Sequence, residues 1–219
     1  MKTEPRSLLK YLLSMATFFL VAASPLQDDD AAGEVLAQMR RTYDEMRDAD
    51  LTFLQVVRFQ RTNVEQSSSG RLLLKKGNRY RLELNEQTVV TNGTVVWSYS
   101  PSTGQVVIDE FAMDERTLSP EKILTGAPED FVAAHLGKEV LAGRDYSVIK
   151  LIPRNPDSFI ASLKLWVDTS TWLIKKAEVH DVGGRSTSYE IEVLKTNIGL
   201  DDEVFTYKIP EGAEVVDLR

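Results

Sequence analysis

The residues of this chain that could take part in acid–base chemistry are its two histidines and its 33 aspartates and glutamates. His135 lies in a segment for which we predict a short helix, and His180 lies near the end of a predicted strand. Neither has a nucleophile motif beside it, which a hydrolytic mechanism would need. The carboxylates include no isolated pair of the kind that glycoside hydrolysis uses. The sequence therefore favours structural roles for both histidines, and we expect no catalytic residues and no enzyme activity.

Cysteine is absent from the chain. Its absence excludes disulfides, thiolate metal sites, a cysteine nucleophile and a lipid attached through cysteine. The acidic run Asp28, Asp29 and Asp30 could be a metal site, but acids are common where a helix begins. We expect no metal and no cofactor. The net charge of −7 argues against nucleic acid as a partner.

The first residues have the order of a secretory signal peptide. Lys2, Arg6 and Lys10 precede an apolar run over residues 11–21, and small residues follow at 22–24. A membrane anchor is the alternative, but the run is shorter than the about 20 residues that a spanning helix needs. We therefore expect a signal peptide over residues 1–23, export to the periplasm, and one domain over residues 24–219.

The most informative apolar stretch is 88–111, which predicts two consecutive hairpins that share a central strand. Asn92-Gly93 is typical of a two-residue type I′ turn. Alternation places Val95, Trp97 and Tyr99 on one face of the shared strand, and the following four-residue turn pairs Trp97 with Ile108. The stretch predicts an apolar binding surface.

The elements that must position this surface are mostly strands. Helical spacing predicts a first helix over about residues 31–47, and further strands follow from period-2 alternation. We predict a polar loop over 63–69, and two short helices within 118–137, the first carrying Ile123 and Leu124 and the second beginning at Pro128. A last strand is predicted over 205–209.

These elements predict an α+β, mainly β fold. About 10 to 11 antiparallel strands form a strongly curved sheet, an incomplete half-barrel, whose concave apolar face is covered by the N-terminal helix and the two-helix insertion. Whether the helices fill that face or leave room for a ligand is open at this point, since both arrangements occur.

Two motifs resemble the family of outer-membrane lipoprotein carrier proteins, LolA. One begins at Gly70 and runs through Lys75-Lys76 to Tyr80-Arg81. The other is the hairpin 90–101, N-G-x-x-V-W-x-Y-x-P, followed by Gln105-Val106. Similarity to the family's closing D-x-x-F and P-x-G pattern is found at 202–205 and 210–212.

The resemblance implies a helix-capped half-barrel that shelters the acyl chains of lipoproteins. It also implies an inner-membrane lipoprotein-release ABC complex as donor and an outer-membrane lipoprotein acceptor as recipient, with the carrier as a monomer. On this basis the expected lid residues are Ile123 and Leu124, and the expected lid-holding basic residues are Lys76 and Arg81. The expected cavity lining is Phe53, Val57, Leu72, Leu74, Leu82, Trp97, Tyr99 and Ile108.

The chain departs from the family pattern at three positions. Gly77 replaces a common proline, Lys76 stands where an arginine is implicated in holding the lid, and Leu82 stands where an aromatic residue is frequent. Lysine cannot make the forked contact of arginine, so lid closure is expected to differ.

Two other functions stay open on the residues alone. The same fold could serve as a sensor or regulatory module, or as a carrier of a glycolipid or another lipid. A basic rim that meets acidic partners is a further possibility, formed by Arg58, Lys75, Lys76, Arg79 and Arg81.

Overall fold

A computed structural model describes residues 29–112 and 130–219. The helix α1 spans Asp30–Glu45, and a 3₁₀ helix spans Asp202–Phe205. The strands of this part of the chain are β1 Asp48–Phe59, β2 Val64–Lys75, β3 Arg79–Leu84, β4 Gln87–Asn92, β5 Val95–Ser100, β6 Gln105–Glu110, β7 Phe131–Leu141, β8 Arg144–Pro153, β9 Ile160–Asp168, β10 Ile174–Asp181, β11 Arg185–Thr196 and β12 Glu214–Asp217.

All twelve strands belong to one sheet, in the order β12-β6-β5-β4-β3-β2-β1-β11-β10-β9-β8-β7. Neighbours pair antiparallel, except that β12 runs parallel to β6. Among the described strands β7 and β12 form the two ends of the order, so the sheet is open. The predicted open, curved antiparallel sheet is thus confirmed, with one or two strands more than expected.

The helix α1 packs on one face of the sheet, which we call the helix face. The predicted helix is confirmed to within two residues at each end. Asp29 caps it, because the Asp29 carboxylate accepts a hydrogen bond from the Ala31 N–H at 2.9 Å. The apolar side of α1 is buried against β7 to β10, in a cluster that includes Met39, Leu151 and Leu165.

The hairpin at Asn92-Gly93 is present, but its turn differs from the predicted one. Of these two residues, only Gly93 has a positive φ, of 92°. The Asn92 side chain accepts hydrogen bonds from the Thr94 and Val95 N–H groups at 2.9 Å. A Cβ at position 93 would lie 2.3 Å from the Gly77 carbonyl oxygen. Glycine is required there by the backbone angle and by the neighbouring turn.

The predicted second inserted helix is wrong, because Phe131, Val132 and Leu136 belong to strand β7. Phe131 and Ala133 are buried while the residues between and after them are more exposed. The apolar residues of such a short segment fit both the helical period of 3.6 residues and the strand period of two. Pairing with β8 along β7 determines that the segment is a strand. Ile123, Leu124 and the first inserted helix lie outside the described residues.

Two further predictions were wrong. The stretch 63–69 is not a loop, since β2 begins at Val64 and its polar residues pair with β1. The stretch 205–209 is not a strand: the 3₁₀ helix ends at Phe205, and β12 follows only at Glu214. Pairing with β1 outweighed the polar composition of the first stretch, and the capped 3₁₀ helix replaced the strand in the second.

In the part of the chain that the structure describes, no helix is both long enough and apolar enough to cross a bilayer.

Candidate functional site

The eight residues predicted to line one cavity lie on two faces of the sheet. Residues directly opposite each other on paired strands share a face. One such row joins Leu72, Leu82 and Val89, and the adjacent row joins Arg81, Val90, Trp97 and Ile108. Phe53, Val57, Leu72, Leu74 and Leu82 therefore lie on the helix face, and Trp97, Tyr99 and Ile108 lie on the opposite face.

The helix face carries an extended apolar surface on β1 to β3. Phe53, Leu72 and Leu74 are buried in a cluster with Met46, which directly follows α1. Leu82 and Leu84 pack against this cluster and are half-buried. The same face continues across β4 to β6 through the half-buried valines Val89, Val96 and Val107.

Gly70 determines where the ring of Phe53 lies. The two residues are direct partners on β1 and β2, and a Cβ at position 70 would lie 2.4 Å from the Phe53 ring. Phe53 also makes an edge-to-face contact with Tyr189, with ring centroids 5.7 Å apart. The glycine of the first sequence motif thus makes room for the central aromatic side chain of this surface.

The C-terminal segment covers the opposite face at β3 to β6. Phe205 is fully buried, and the 3₁₀ helix that it ends contacts β3 and β4. Tyr207 lies beside Tyr99, with ring centroids 6.0 Å apart. The W-x-Y hairpin therefore helps to hold the C-terminal segment, a role that the sequence alone did not indicate.

Lys76 and Arg81, which were predicted to hold a lid together, point to different places. The Lys76 ammonium group donates a hydrogen bond to the carbonyl of Asp44 in the last turn of α1, where a positive charge is favourable. Arg81 donates to Glu83 at 2.7 Å and to the Val204 carbonyl at 3.5 Å. Arg81 thus lies beneath the C-terminal segment, and only Lys76 reaches the helix.

The predicted basic rim is largely neutralised within the chain. Lys75 and Arg79 both contact Asp202, at 2.5 and 2.8 Å. Arg58 contacts Glu65 at 2.6 Å. These cations are engaged in ion pairs with the chain's own carboxylates, which reduces what they can offer to an acidic partner.

The histidines make local contacts. The Nε2 atom of His135 lies 2.8 Å from the Ser147 hydroxyl, but Ser147 is only 2% exposed, so this hydroxyl is not accessible to a substrate. His180 Nε2 lies 3.3 Å from Glu178. Among residues 29–112 and 130–219, no group of three or more His, Asp or Glu side chains could hold a metal ion.

A row of polar side chains on the helix face was missed by sequence reasoning. Ser68, Gln55 and Tyr189 are direct neighbours on β2, β1 and β11. The Ser68 hydroxyl donates to Gln55 Oε1 at 3.1 Å, and Gln55 Nε2 donates to the Tyr189 oxygen at 3.3 Å. The sequence signal was the polar stretch 65–69, which we interpreted as a loop and therefore did not pair with β1.

Comparison with known proteins gives consistent results. The family described as "Outer membrane lipoprotein carrier protein LolA" matches residues 44–208. An outer-membrane lipoprotein carrier protein from Azotobacter vinelandii is 29% identical over 217 residues, covering 95% of this chain and 98% of the relative. One from Alcanivorax borkumensis is 27% identical, covering 94% and 97%. A crystal structure of an uncharacterized conserved protein from Thermus thermophilus has the same fold, with a TM-score of 0.58, 15% identity and coverage of 85% and 99%.

Proposed function

Since the chain belongs to the LolA family of outer membrane lipoprotein carrier proteins, we propose that it carries lipoproteins from the inner to the outer membrane. The observation that supports this most strongly is the family match over residues 44–208. The cargo is the lipoprotein, held by its acyl chains. Carriage of this kind is a binding and release cycle that makes and breaks no covalent bond.

The acyl chains bind on the helix face, where Phe53, Val57, Leu72, Leu74 and Leu82 supply apolar contacts. Burial of a hydrocarbon chain gains about 0.8 kcal/mol for each methylene. On this same face the half-buried Leu84, Val89, Val96 and Val107 extend the surface beyond the fully buried cluster. The helix face therefore offers an elongated apolar surface to a ligand that is itself long and apolar.

Trp97, Tyr99 and Ile108 lie outside this proposed site. Their face is the one that the C-terminal segment packs on. Their contribution to binding is indirect, since they support the sheet whose other face contacts the ligand.

The proposed cycle has two membrane partners and a lid. An inner-membrane lipoprotein-release ABC complex loads the carrier, and an outer-membrane lipoprotein acceptor unloads it. Ile123 and Leu124 are the proposed lid side chains, and Lys76 is the proposed lid-holding residue because it already contacts the end of α1. The carrier is a periplasmic monomer whose domain spans residues 24–219 after removal of residues 1–23.

The test is transfer of a triacylated lipoprotein from detergent to the purified protein. We expect a soluble one-to-one complex on size-exclusion chromatography after the detergent is removed. Leu82→Glu places a charge on the helix face, and we expect it to reduce the yield of complex at least about tenfold, because burying an unpaired charge is costly.

Val193→Glu is the matched control. Val193 lies opposite Thr52 on the face that does not carry α1, and it is 50% exposed. We expect this variant to bind as the wild type does. Failure of the wild-type protein to form a soluble complex would refute the proposed function.

A further inference from the structure

The polar row Ser68, Gln55 and Tyr189 lies on the helix face where the apolar cluster of β1 and β2 ends. On one side of it lies Phe53, in the buried cluster, paired with Gly70. On the other side, β1 passes through the half-buried Val57 to the exposed end at Phe59. The row thus marks the boundary between the buried part of the helix face and its open end.

The hydrogen bonds of this row all point from Ser68 towards Tyr189, so the last group of the row, the Tyr189 hydroxyl, keeps its own proton to donate. Ser68 donates to Gln55, and Gln55 donates to the Tyr189 oxygen. The Tyr189 hydroxyl proton therefore points onward, and in the part of the chain that the structure describes no acceptor receives it. Gln55 has a second amide hydrogen, so the row holds two hydrogen-bond donors for a ligand.

The row is uncharged, which decides what kind of ligand group it suits. A phosphate or a free carboxylate is bound most strongly by charged donors such as arginine. An ester carbonyl is neutral and accepts hydrogen bonds without donating any. A ligand whose acyl chains lie against Phe53 and Leu72 has its ester groups at the polar end of those chains.

We propose that Ser68, Gln55 and Tyr189 form a subsite for the ester carbonyls of a diacylglyceryl group, with Tyr189 and Gln55 as the donors. This inference rests on the proposed function and adds to it a polar contact that fixes how far the acyl chains slide along the face. Two sources carry this group, the lipid-modified cysteine of a lipoprotein and a diacyl phospholipid.

The test compares two peptides that carry a lipidated cysteine with equal chain lengths. One has diacylglyceryl ester linkages, and the other has dialkyl ether linkages that lack the carbonyls. We expect the wild-type protein to bind the ester peptide about fivefold more tightly, the effect of one net hydrogen bond of about 1 kcal/mol. In Tyr189→Phe and Gln55→Leu the preference should shrink towards one, through weaker binding of the ester while binding of the ether is unchanged.

The control is Tyr207→Phe, which removes a hydroxyl from the opposite face and should retain the fivefold preference. Tyr189→Phe keeps the ring that contacts Phe53, so it remains informative if Gln55→Leu does not fold. An unchanged ester preference in Tyr189→Phe would refute the subsite but leave the carrier function intact. Binding of neither peptide by the wild type would refute the carrier function itself.

A third arm separates the two sources of the ester. A diacyl phospholipid is compared with its dialkyl ether counterpart in the same assay. If the wild type prefers the ester phospholipid and Tyr189→Phe abolishes this preference, the subsite accepts acylglycerols in general. If the wild type shows no preference between the two phospholipids, the subsite is restricted to the lipidated cysteine. If Tyr189→Phe weakened binding of the ether phospholipid more than binding of the ester phospholipid, the assignment would be overturned. The ether has no carbonyl that Tyr189 could bind.

Discussion

Gly70 and Phe53 fit closely together on the helix face. The Phe53 ring occupies the space that a side chain at position 70 would fill, and Leu84 lies within 2.8 Å of the same point. We expect Gly70→Ala to lower the free energy of unfolding by about 1–3 kcal/mol, because an extra methyl group in a packed site forces neighbouring side chains out of position. Urea denaturation followed by circular dichroism measures the change.

Gly33 provides the opposite case and serves as the control. It lies within α1, where a Cβ would meet nothing within 4 Å. Gly33→Ala should therefore raise the stability by about 0.5–1 kcal/mol, since alanine is the better helix former. If Gly70→Ala were as stable as the wild type, the ring of Phe53 would not be held in this position.

At the scale of elements, the contact between Asp48 and the segment after β11 anchors the C-terminal part of the chain. The buried Asp48 carboxylate accepts hydrogen bonds from the N–H groups of Ile198, Gly199 and Leu200, at 2.7 to 3.2 Å. We expect Asp48→Asn to cost about 1.5–3 kcal/mol, because hydrogen bonds to a charged acceptor are stronger than neutral ones and an amide brings a donor against these donors.

Hydrogen exchange measures this effect locally. The amides of residues 198–200 should exchange faster in Asp48→Asn than in the wild type. Asp201→Asn is the matched control, since the Asp201 carboxylate accepts from Glu203 alone, at 2.9 Å, in an exposed position. Equal exchange rates in both variants would contradict the anchoring role of Asp48.

The elements also show what the sequence can predict. The predicted pairing of Trp97 with Ile108 is confirmed, because a short turn and period-2 alternation fix a local register. These residues were expected to line one cavity with Phe53, but they lie on the opposite face, since the face depends on the register carried through several hairpins from β1 to β6. One residue more or less in any turn reverses the face.

Phe53, Leu72 and Leu74, which the sequence places together, lie in one buried cluster, because β1 and β2 are adjacent strands of a single hairpin. Their role as a ligand site stays a prediction. The β-bulge between Thr52 and Phe53 then shifts the pairing with β11. It turns Val193 outward and places Leu194 in the cluster instead. Alternation alone cannot locate a bulge, because the extra residue has no sequence requirement.

At the scale of the whole molecule, acid should destabilise the fold below about pH 4. Hydrogen bonds from Arg71 hold the pKa of Asp50 below its ordinary value of 3.8. The Trp166 N–H and the Arg185 backbone N–H likewise lower the pKa values of Glu139 and Asp181. A carboxylate whose pKa is depressed by folding contributes stability above its unfolded pKa, and this contribution is lost as the pH falls through the folded value.

Thermal unfolding between pH 2 and pH 8 measures this dependence. We expect Tm to be nearly constant from pH 5 to pH 8 and to fall below pH 4, by about 2–4 °C for each kcal/mol lost. Arg71→Gln should lessen the acid-dependent loss, since Asp50 then titrates near its ordinary pKa. A constant Tm down to pH 2 would contradict a stabilising role for these carboxylates.

Alkali should act through a tyrosine on the helix face. Burial raises the pKa of the Tyr80 phenol above its ordinary value of 10.0, because the charged form is poorly solvated beside Leu74. A group whose pKa is raised by folding contributes stability below its unfolded pKa and loses it as the pH rises through the folded value. We therefore expect the stability of the wild type to fall above pH 10, and to fall less steeply in Tyr80→Phe, which has no proton to lose. Urea denaturation at pH 8 and pH 11 measures the difference, with Tyr43→Phe as a second tyrosine variant for comparison. Equal losses of unfolding free energy in the wild type and in Tyr80→Phe would show that Tyr80 stays neutral or exposed throughout.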